Sequence, residues 1–167
     1  METLTDEQRR AFDAIQEGKS IFLTGPGGTG KSYLLKMIYD LIPNKTGKRV
    51  AVTAMTGCAA LLLGPHARTL HSWTGIGLGK EPSRFLAGMV RRSKKTIQRW
   101  QDTDILVIDE VSMLTPELLE KLNTIAQILR KNGKPMGGLQ VVFVGDFYQL
   151  PPVFKESECA FAFESTT

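Results

Sequence analysis

The stretch that most restricts what this chain can become is Gly25-Pro26-Gly27-Gly28-Thr29-Gly30-Lys31-Ser32. It satisfies the pattern of a glycine, four residues and Gly-Lys-Ser/Thr in full. Its flanks agree: Ile21-Phe22-Leu23 reads as a strand before it, and Tyr33 to Ile38 as a helix after it. Glycines let successive N–H groups turn inward toward phosphate oxygens, and the following helix adds its positive N-terminal end. Lys31 is placed to reach the β- and γ-phosphates, and the Ser32 hydroxyl to ligate Mg²⁺. The whole stretch is therefore a candidate nucleoside triphosphate site, with Gly25, Pro26, Gly27, Gly28, Thr29, Gly30, Lys31 and Ser32 as its binding residues. A strand, this loop and a helix imply an α/β fold of the P-loop NTPase kind, a mostly parallel sheet flanked by helices.

The remaining strands fit that frame. Residues 49–53 are rich in β-branched residues, 105–108 is an unbroken apolar run, and 139–144 is apolar apart from Gln140, as expected of parallel strands covered on both faces. Helices are predicted over 3–18, from the loop to about Ile42-Pro43-Asn44, over 57–63, over 82–100 with Phe85, Leu86, Met89 and Val90 as an apolar stripe, and after Thr115-Pro116. In such sheets, ligands sit beyond the carboxyl ends of the strands. Asp109 and Glu110 end one strand and Gln149 follows another. Asp109 suits a role holding Mg²⁺, Glu110 a role as the base that activates water, and Gln149 a role sensing the γ-phosphate. Gln8 has two readings. It completes a capping box with Thr5, and its amide matches the donor and acceptor edge of adenine.

Charge is uneven. Residues 80–100 carry seven basic side chains against Glu81, a local +6 in a chain of net +4, so the remainder is slightly acidic. Such a segment suits a polyanion, or simply a solvated helix face. Trp73 reads as core more readily than as a stacking platform, and the lone His71 as structural. Cys58 and Cys159 are too few for a disulfide framework or a zinc site and read as buried or incidental thiols in a reducing compartment. No run reaches the ~20 apolar residues of a membrane span, and residues 1–20 do not form a signal peptide. The expected location is intracellular: nucleus or mitochondrion in a eukaryote, otherwise cytoplasm.

From Thr5 to about Ser165 the chain resembles the PIF-type (petite integration frequency) DNA helicases of superfamily 1. The resemblance rests on Leu4-Thr5-Asp6-Glu7-Gln8, the phosphate loop, Val52 to Gly57, Thr69 to Gly79, Ile108 to Leu114, Glu120 to Ala126, Gly137-Gly138-Leu139-Gln140 and Gly145 to Val153. Met55 and Trp73 stand where the family usually has serine and phenylalanine, and Gly64-Pro65-His66 replaces a Gly-Gly turn.

The resemblance implies a RecA-like motor domain 1 over 1–167, with Gln8 reading adenine, Lys31, Glu110 and Gln149 catalytic, and Ser32 and Asp109 on Mg²⁺. Thr53, Thr56, Gly57, His71 and Ser72 would line a single-strand path. Residues 80–100 would form a small basic wedge at the duplex junction, with Arg91, Arg92, Lys94 and Lys95 on DNA. ATP in this family lies between two RecA-like domains, and the second, absent from this chain, supplies arginines. The implied activity is ATP-dependent 5′–3′ helicase action on single-stranded DNA and duplex junctions in replication, repair, recombination or telomere maintenance. Two other readings use the same loop. A nucleotide-binding module without useful turnover would not need the hydrolytic set. A P-loop kinase is disfavoured because Glu110 would waste ATP on water.

Overall fold

A computed structural model describes residues 4–28 and 30–146 of the 167. Thr29, Gln149 and Cys159 lie outside the described residues. Five strands form one sheet: β1 (Ile21–Thr24), β2 (Val50–Ala54), β3 (Arg68–Thr69), β4 (Ile105–Asp109) and β5 (Gln140–Gly145). Their order is β1-β5-β4-β2-β3, and every pairing is parallel. All carboxyl ends therefore meet at one edge. Thr24 pairs with Gly145, and Ala54 with Asp109.

The helices are α1 (Asp6–Gln16), α2 (Lys31–Thr46), α3 (Gly57–Leu63), α4 (Leu70–Thr74), α5 (Ser83–Val90), α6 (Lys94–Asp102) and α7 (Pro116–Arg130). They cover the sheet on two faces, and β4 shows why its run is apolar throughout. Ile105 and Val107 enter a core with Phe12 and Ile15 of α1 and Leu34, Leu35, Ile38 and Ile42 of α2. Leu106 and Ile108 enter a second core with Leu86 and Val90 of α5, Trp100 of α6 and Leu122, Ile125 and Leu129 of α7. Alternate side chains of a strand point to opposite faces, so a strand buried on both sides has no polar position to spare. Trp73 is in the second core, tilted against Trp100 with ring centroids 4.9 Å apart, and the Trp100 indole donates to the Thr74 carbonyl at 3.0 Å.

Several elements differ from expectation. The second helix does not stop near Pro43 but runs to Thr46 and ends on Gly47 at φ 71°. Proline lacks the N–H that would bond the Tyr39 carbonyl, yet the helix continues one more turn, in which the Asn44 side chain donates to the Asp40 carbonyl at 2.7 Å and the Thr46 hydroxyl to that of Ile42 at 2.7 Å. The single helix expected over 82–100 is two. Ser93 caps a fresh start by accepting from the Thr96 N–H, which turns α6 away from α5. Leu86 and Val90 are buried, but Phe85 is 58% exposed and leaves the stripe. Strand β3, only two residues long, gave no periodicity to find. Cys58 is an exposed thiol and not a buried one. No helix among the described residues is long and apolar enough to cross a membrane.

Candidate nucleotide-hydrolysis site

Four segments meet at the carboxyl edge of the sheet: the loop after β1, the acidic pair ending β4, the Gly145-Asp146 turn after β5, and α3 after β2. Together they line a cleft of about 500 Å³ that includes Gly27, Gly28, Gly30, Lys31, Ser32, Asp109, Glu110 and Asp146. The loop has the left-handed turns its glycines permit, with Gly28 at φ 82° and Gly30 at φ 80°. Lys31 opens α2, and its ammonium donates to the Gly25 carbonyl and, at 2.8 Å, to that of Pro26.

Of the two readings of Gln8, the structure shows the capping box. Thr5 and Gln8 form a reciprocal capping box, Gln8 N–H to Thr5 Oγ1 at 3.2 Å and Thr5 N–H to Gln8 Oε1 at 3.1 Å. The same amide reaches across to the phosphate loop, Nε2 to the Gly30 carbonyl at 3.4 Å. A Cβ at Gly30 would lie 2.5 Å from that nitrogen, so a side chain there would displace the Gln8 amide, while the backbone at φ 80° itself favours glycine.

The acidic pair is held unusually. Asp109 is half-buried, and burial pushes its carboxyl above the ordinary carboxylate range. The Glu110 N–H, donating to Asp109 Oδ1 at 2.8 Å, opposes that rise, the Glu110 charge adds to it, and Lys31 opposes it. Glu110 has a left-handed backbone, φ 57° and ψ 42°, which costs a non-glycine residue roughly 1–2 kcal/mol. The strain is sustained by a tight turn over Val111–Met113, whose last N–H bonds the Glu110 carbonyl at 3.0 Å. Gly145 packs under that turn: a Cβ there would sit 2.8 Å from Val111 Cγ1 and 3.1 Å from the Val111 nitrogen. The Glu110 carboxylate accepts from the Thr56 hydroxyl, Oε2 to Oγ1 at 2.8 Å.

The structure thus gathers Gly27, Gly28, Gly30, Lys31, Ser32, Asp109 and Glu110, with Gln8 bonded to the loop. One lining residue was not picked out as a site residue, and one contact was not foreseen. Asp146, 7% exposed, lines the cleft; its place in the Gly-Asp-Phe block beside the base of the cleft was the available signal. The partnership of Thr56 with Glu110 spans 54 residues of sequence and left none.

The expected strand-contacting residues divide. Gly57 and Ser72 are exposed, and Thr56 and His71 half-buried. Burial holds the His71 imidazole below its ordinary pKa, so it is neutral at pH 7. Thr53 does not reach the surface: it is fully buried in the sheet and its hydroxyl donates to the Val107 carbonyl at 2.7 Å, supporting β2 against β4. Arg91, Arg92, Lys94 and Lys95 are all exposed at the α5–α6 turn, apart from the cleft. Arg99, counted in the same basic segment, is occupied within the fold, donating to the carbonyls of Ser72 at 3.1 Å and Trp73 at 2.6 Å.

The family model for PIF1-like helicases matches residues 3–166. The ATP-dependent DNA helicase PIF1 of Candida albicans (strain SC5314) is 46% identical across 98% of this chain, which covers 19% of that protein. That of Saccharomyces cerevisiae (strain YJM789) is 48% identical across 97% of this chain, again 19% of its own length. The chain therefore spans about a fifth of these relatives. Among solved structures, Pif1 helicase from Candida albicans superposes with a TM-score of 0.92 at 48% identity, over 99% of this chain and 37% of that one. A Bacteroides Pif1 in complex with ADP-AlF3 and single-stranded DNA gives 0.81 at 30% identity, over 99% and 39%. A RecA-like sheet, a phosphate loop facing an acidic strand end, and agreement along nearly the whole chain lead to one conclusion: the chain belongs to the PIF1-like helicase family.

Proposed function

We propose that this chain is the ATP-binding and ATP-hydrolysing motor domain of a DNA helicase. The observation that carries the proposal is the meeting, in one cleft, of the phosphate loop with Asp109 and Glu110. Lys31 and the loop N–H groups bind and orient the triphosphate and offset charge that builds on it. Glu110 takes a proton from water as the water oxygen bonds to the γ-phosphorus. The bond to the bridging oxygen breaks, and ADP leaves. Gln149, outside the described residues, is assigned to the γ-phosphate, and Gln8 to adenine.

The donor set fits Mg²⁺ and does not fit a protein-caged metal. A hydroxyl, Ser32, and a carboxylate, Asp109, share the cleft, while among the described residues no three His, Cys, Asp or Glu side chains gather as a metal site. Mg²⁺ commonly takes one or two protein ligands and completes its shell from phosphate and water. When bound, it would neutralise charge on the β- and γ-phosphates.

Single-stranded DNA is assigned to the surface carrying Thr56, Gly57, His71 and Ser72, and duplex junctions to Arg91, Arg92, Lys94 and Lys95. Support comes from the exposure of the four cations and from the Pif1 relatives, one of them solved with single-stranded DNA. A second RecA-like domain is assigned to the open side of the cleft, where an arginine finger contributes about 10³–10⁵ in rate in phosphoryl-transfer enzymes. The test is ATP turnover with and without single-stranded DNA, for the wild type and Glu110→Gln. Loss of turnover with retained nucleotide binding in the variant is the expected outcome. Undiminished turnover in Glu110→Gln, or stimulation by a small phosphate acceptor in place of DNA, would sink the proposal.

A further inference from the structure

A second groove, of about 480 Å³, lies between α5 and α7 and shares no residue with the phosphate-loop cleft. Its base is apolar, with Ala87 and Ile128 beside Gly88, and no acidic side chain lines it. One wall is cationic. Arg84, Gly88 and Arg91 follow one another at i, i+4 and i+7, so both guanidinium groups spring from one face of α5, roughly 10.5 Å apart along the helix, with the glycine between them. Both arginines are exposed, and neither side chain bonds to another described residue. The other wall differs. The Thr124 hydroxyl donates to the Glu120 carbonyl at 3.2 Å, and the Gln127 amide nitrogen to those of Gly133 at 3.2 Å and Lys134 at 3.3 Å, so what α7 has left to offer is acceptor oxygens. Gly88 is not required by the fold. Its backbone is not left-handed, it is exposed, and a Cβ there would meet nothing within 4 Å. Glycine is nevertheless among the poorest residues for a helix interior. A close approach to α5 from outside the chain is what the missing side chain permits.

We propose that this groove docks an amphipathic helix of a partner protein, which seats an apolar side chain over Gly88 and sets two carboxylates, two turns apart, on Arg84 and Arg91. The spacing of the arginines is itself that of two helical turns, so acids in one stripe of a partner helix meet both. Each guanidinium offers paired N–H donors to a carboxylate. Ala87, Gly88 and Ile128 take the apolar anchor, as in other helix-in-groove contacts, and Phe85, three residues before Gly88 and 58% exposed, adds apolar surface beside it. The one-sided charge favours such a helix over a nucleic acid strand. A phosphate chain is negative at every nucleotide and is met by strongly positive surfaces, whereas the acceptor oxygens of α7 would oppose it. A helix with an acidic stripe beside a stripe of hydrogen-bond donors satisfies both walls. The proposal does not depend on the assignments made in the phosphate-loop cleft.

Arg91 also belongs to the basic turn assigned to DNA, so the test is built on Arg84 and Gly88. The probe is a fluorescein-labelled synthetic helix of about 18 residues, rich in alanine and glutamine, with two glutamates seven positions apart and a leucine midway between them. Its binding to the full chain is read by fluorescence anisotropy, with an expected Kd on the order of 10–100 µM. Arg84→Glu, which sets like charge against a carboxylate, and Gly88→Leu, which fills the space over α5, should each weaken it by about tenfold or more. Of two peptides in which lysine replaces one glutamate or the other, one should recover its affinity on Arg84→Glu, and neither on Gly88→Leu. Gly88→Ala guards against a misfolded leucine variant: it should raise the thermal midpoint by about 2–4 °C, since nothing packs at that position, and still weaken the peptide. No saturable binding by the wild type, equal binding by the variants, or undiminished affinity of a peptide with both glutamates changed to glutamine would overturn the proposal. So would a loss of single-stranded DNA affinity in Arg84→Glu and Gly88→Leu as large as the loss for the peptide, which would make the groove a nucleic acid surface.

Discussion

Gly145 should be irreplaceable even by alanine, and the reason is steric. Its position would set a Cβ 2.8 Å from Val111 Cγ1, 3.1 Å from the Val111 nitrogen and 3.5 Å from the Ser112 nitrogen. Two of these neighbours are backbone atoms of the turn that follows Glu110, and Val111 is 1% exposed, so neither the chain nor the side chain has room to yield. Overpacking of this kind costs about 1–3 kcal/mol. Alanine's stiffer unfolded chain returns about 0.4–1 kcal/mol. The expected net loss is about 1–2 kcal/mol, and at about 2–4 °C per kcal/mol for a domain of this size the midpoint falls by roughly 2–8 °C. The turn moves with Val111, and Glu110 with the turn, so a displacement of a few tenths of an ångström lowers kcat on the order of tenfold, well short of the ~10² that 1 Å can cost. Far-ultraviolet circular dichroism during heating gives the first quantity, and ATP turnover well below both midpoints gives the second. An unchanged midpoint would refute the steric reasoning. A lowered midpoint with untouched kcat would refute the link from Gly145 to Glu110.

Other outcomes follow from the same contacts. Arg130→Met leaves the carbonyls of Trp100, Thr103 and Gly137 without their guanidinium donor, and urea unfolding should show a loss of about 2–4 kcal/mol, since charged hydrogen bonds contribute about 1.5–3 each and not additively. Asp109→Asn should end hydrolysis yet stabilise the fold at neutral pH. A carboxyl raised by burial costs stability above its folded pKa, and that cost fades as pH falls toward the ordinary carboxylate range, so the gain over wild type, measured by denaturant unfolding from pH 4 to 7, should vanish at the acid end. Replacing Arg91, Arg92, Lys94 and Lys95 together by alanine should flatten the salt dependence of single-strand affinity by up to about 3 in log–log slope, at roughly 0.7 per lost phosphate contact, without altering DNA-free ATP turnover.

Much of this molecule was readable from its residues, for reasons that differ by element. The apolar runs Ile105 to Ile108 in β4 and Val141 to Val144 in β5 admit hardly any structure but a covered strand. Thr115-Pro116 and Thr5 to Gln8 carry their own helix starts as local hydrogen-bond chemistry. The candidate cleft was legible because strand, loop and helix must be contiguous to make it, and because parallel strands put their last residues at one edge. What escaped depends on partners far away in the chain. Phe85 lies at a core-like spacing, but the break at Ser93 turns α6 aside and leaves that side chain in water. Arg99 looked like free positive charge, and only the tertiary approach of α6 to the end of α4 showed it spent on two carbonyls. Thr53 belongs to a block that resembles a strand path, yet the strand's alternation turns its hydroxyl inward to Val107.

The Gln8 amide has a further consequence. It uses one of its two acceptor positions on the Thr5 N–H and one of its two donor hydrogens on the Gly30 carbonyl, so one acceptor and one donor remain. Because oxygen and nitrogen are each anchored, the group resists the half-turn that would exchange them. A free glutamine can flip to suit whichever purine arrives; this one presents a fixed order. Adenine's N6 amine and N7 answer an acceptor beside a donor, whereas guanine's O6 would bring an acceptor against Oε1. Preference for ATP over GTP would then come less from what Gln8 offers than from what the start of the first helix and the phosphate loop forbid it to become.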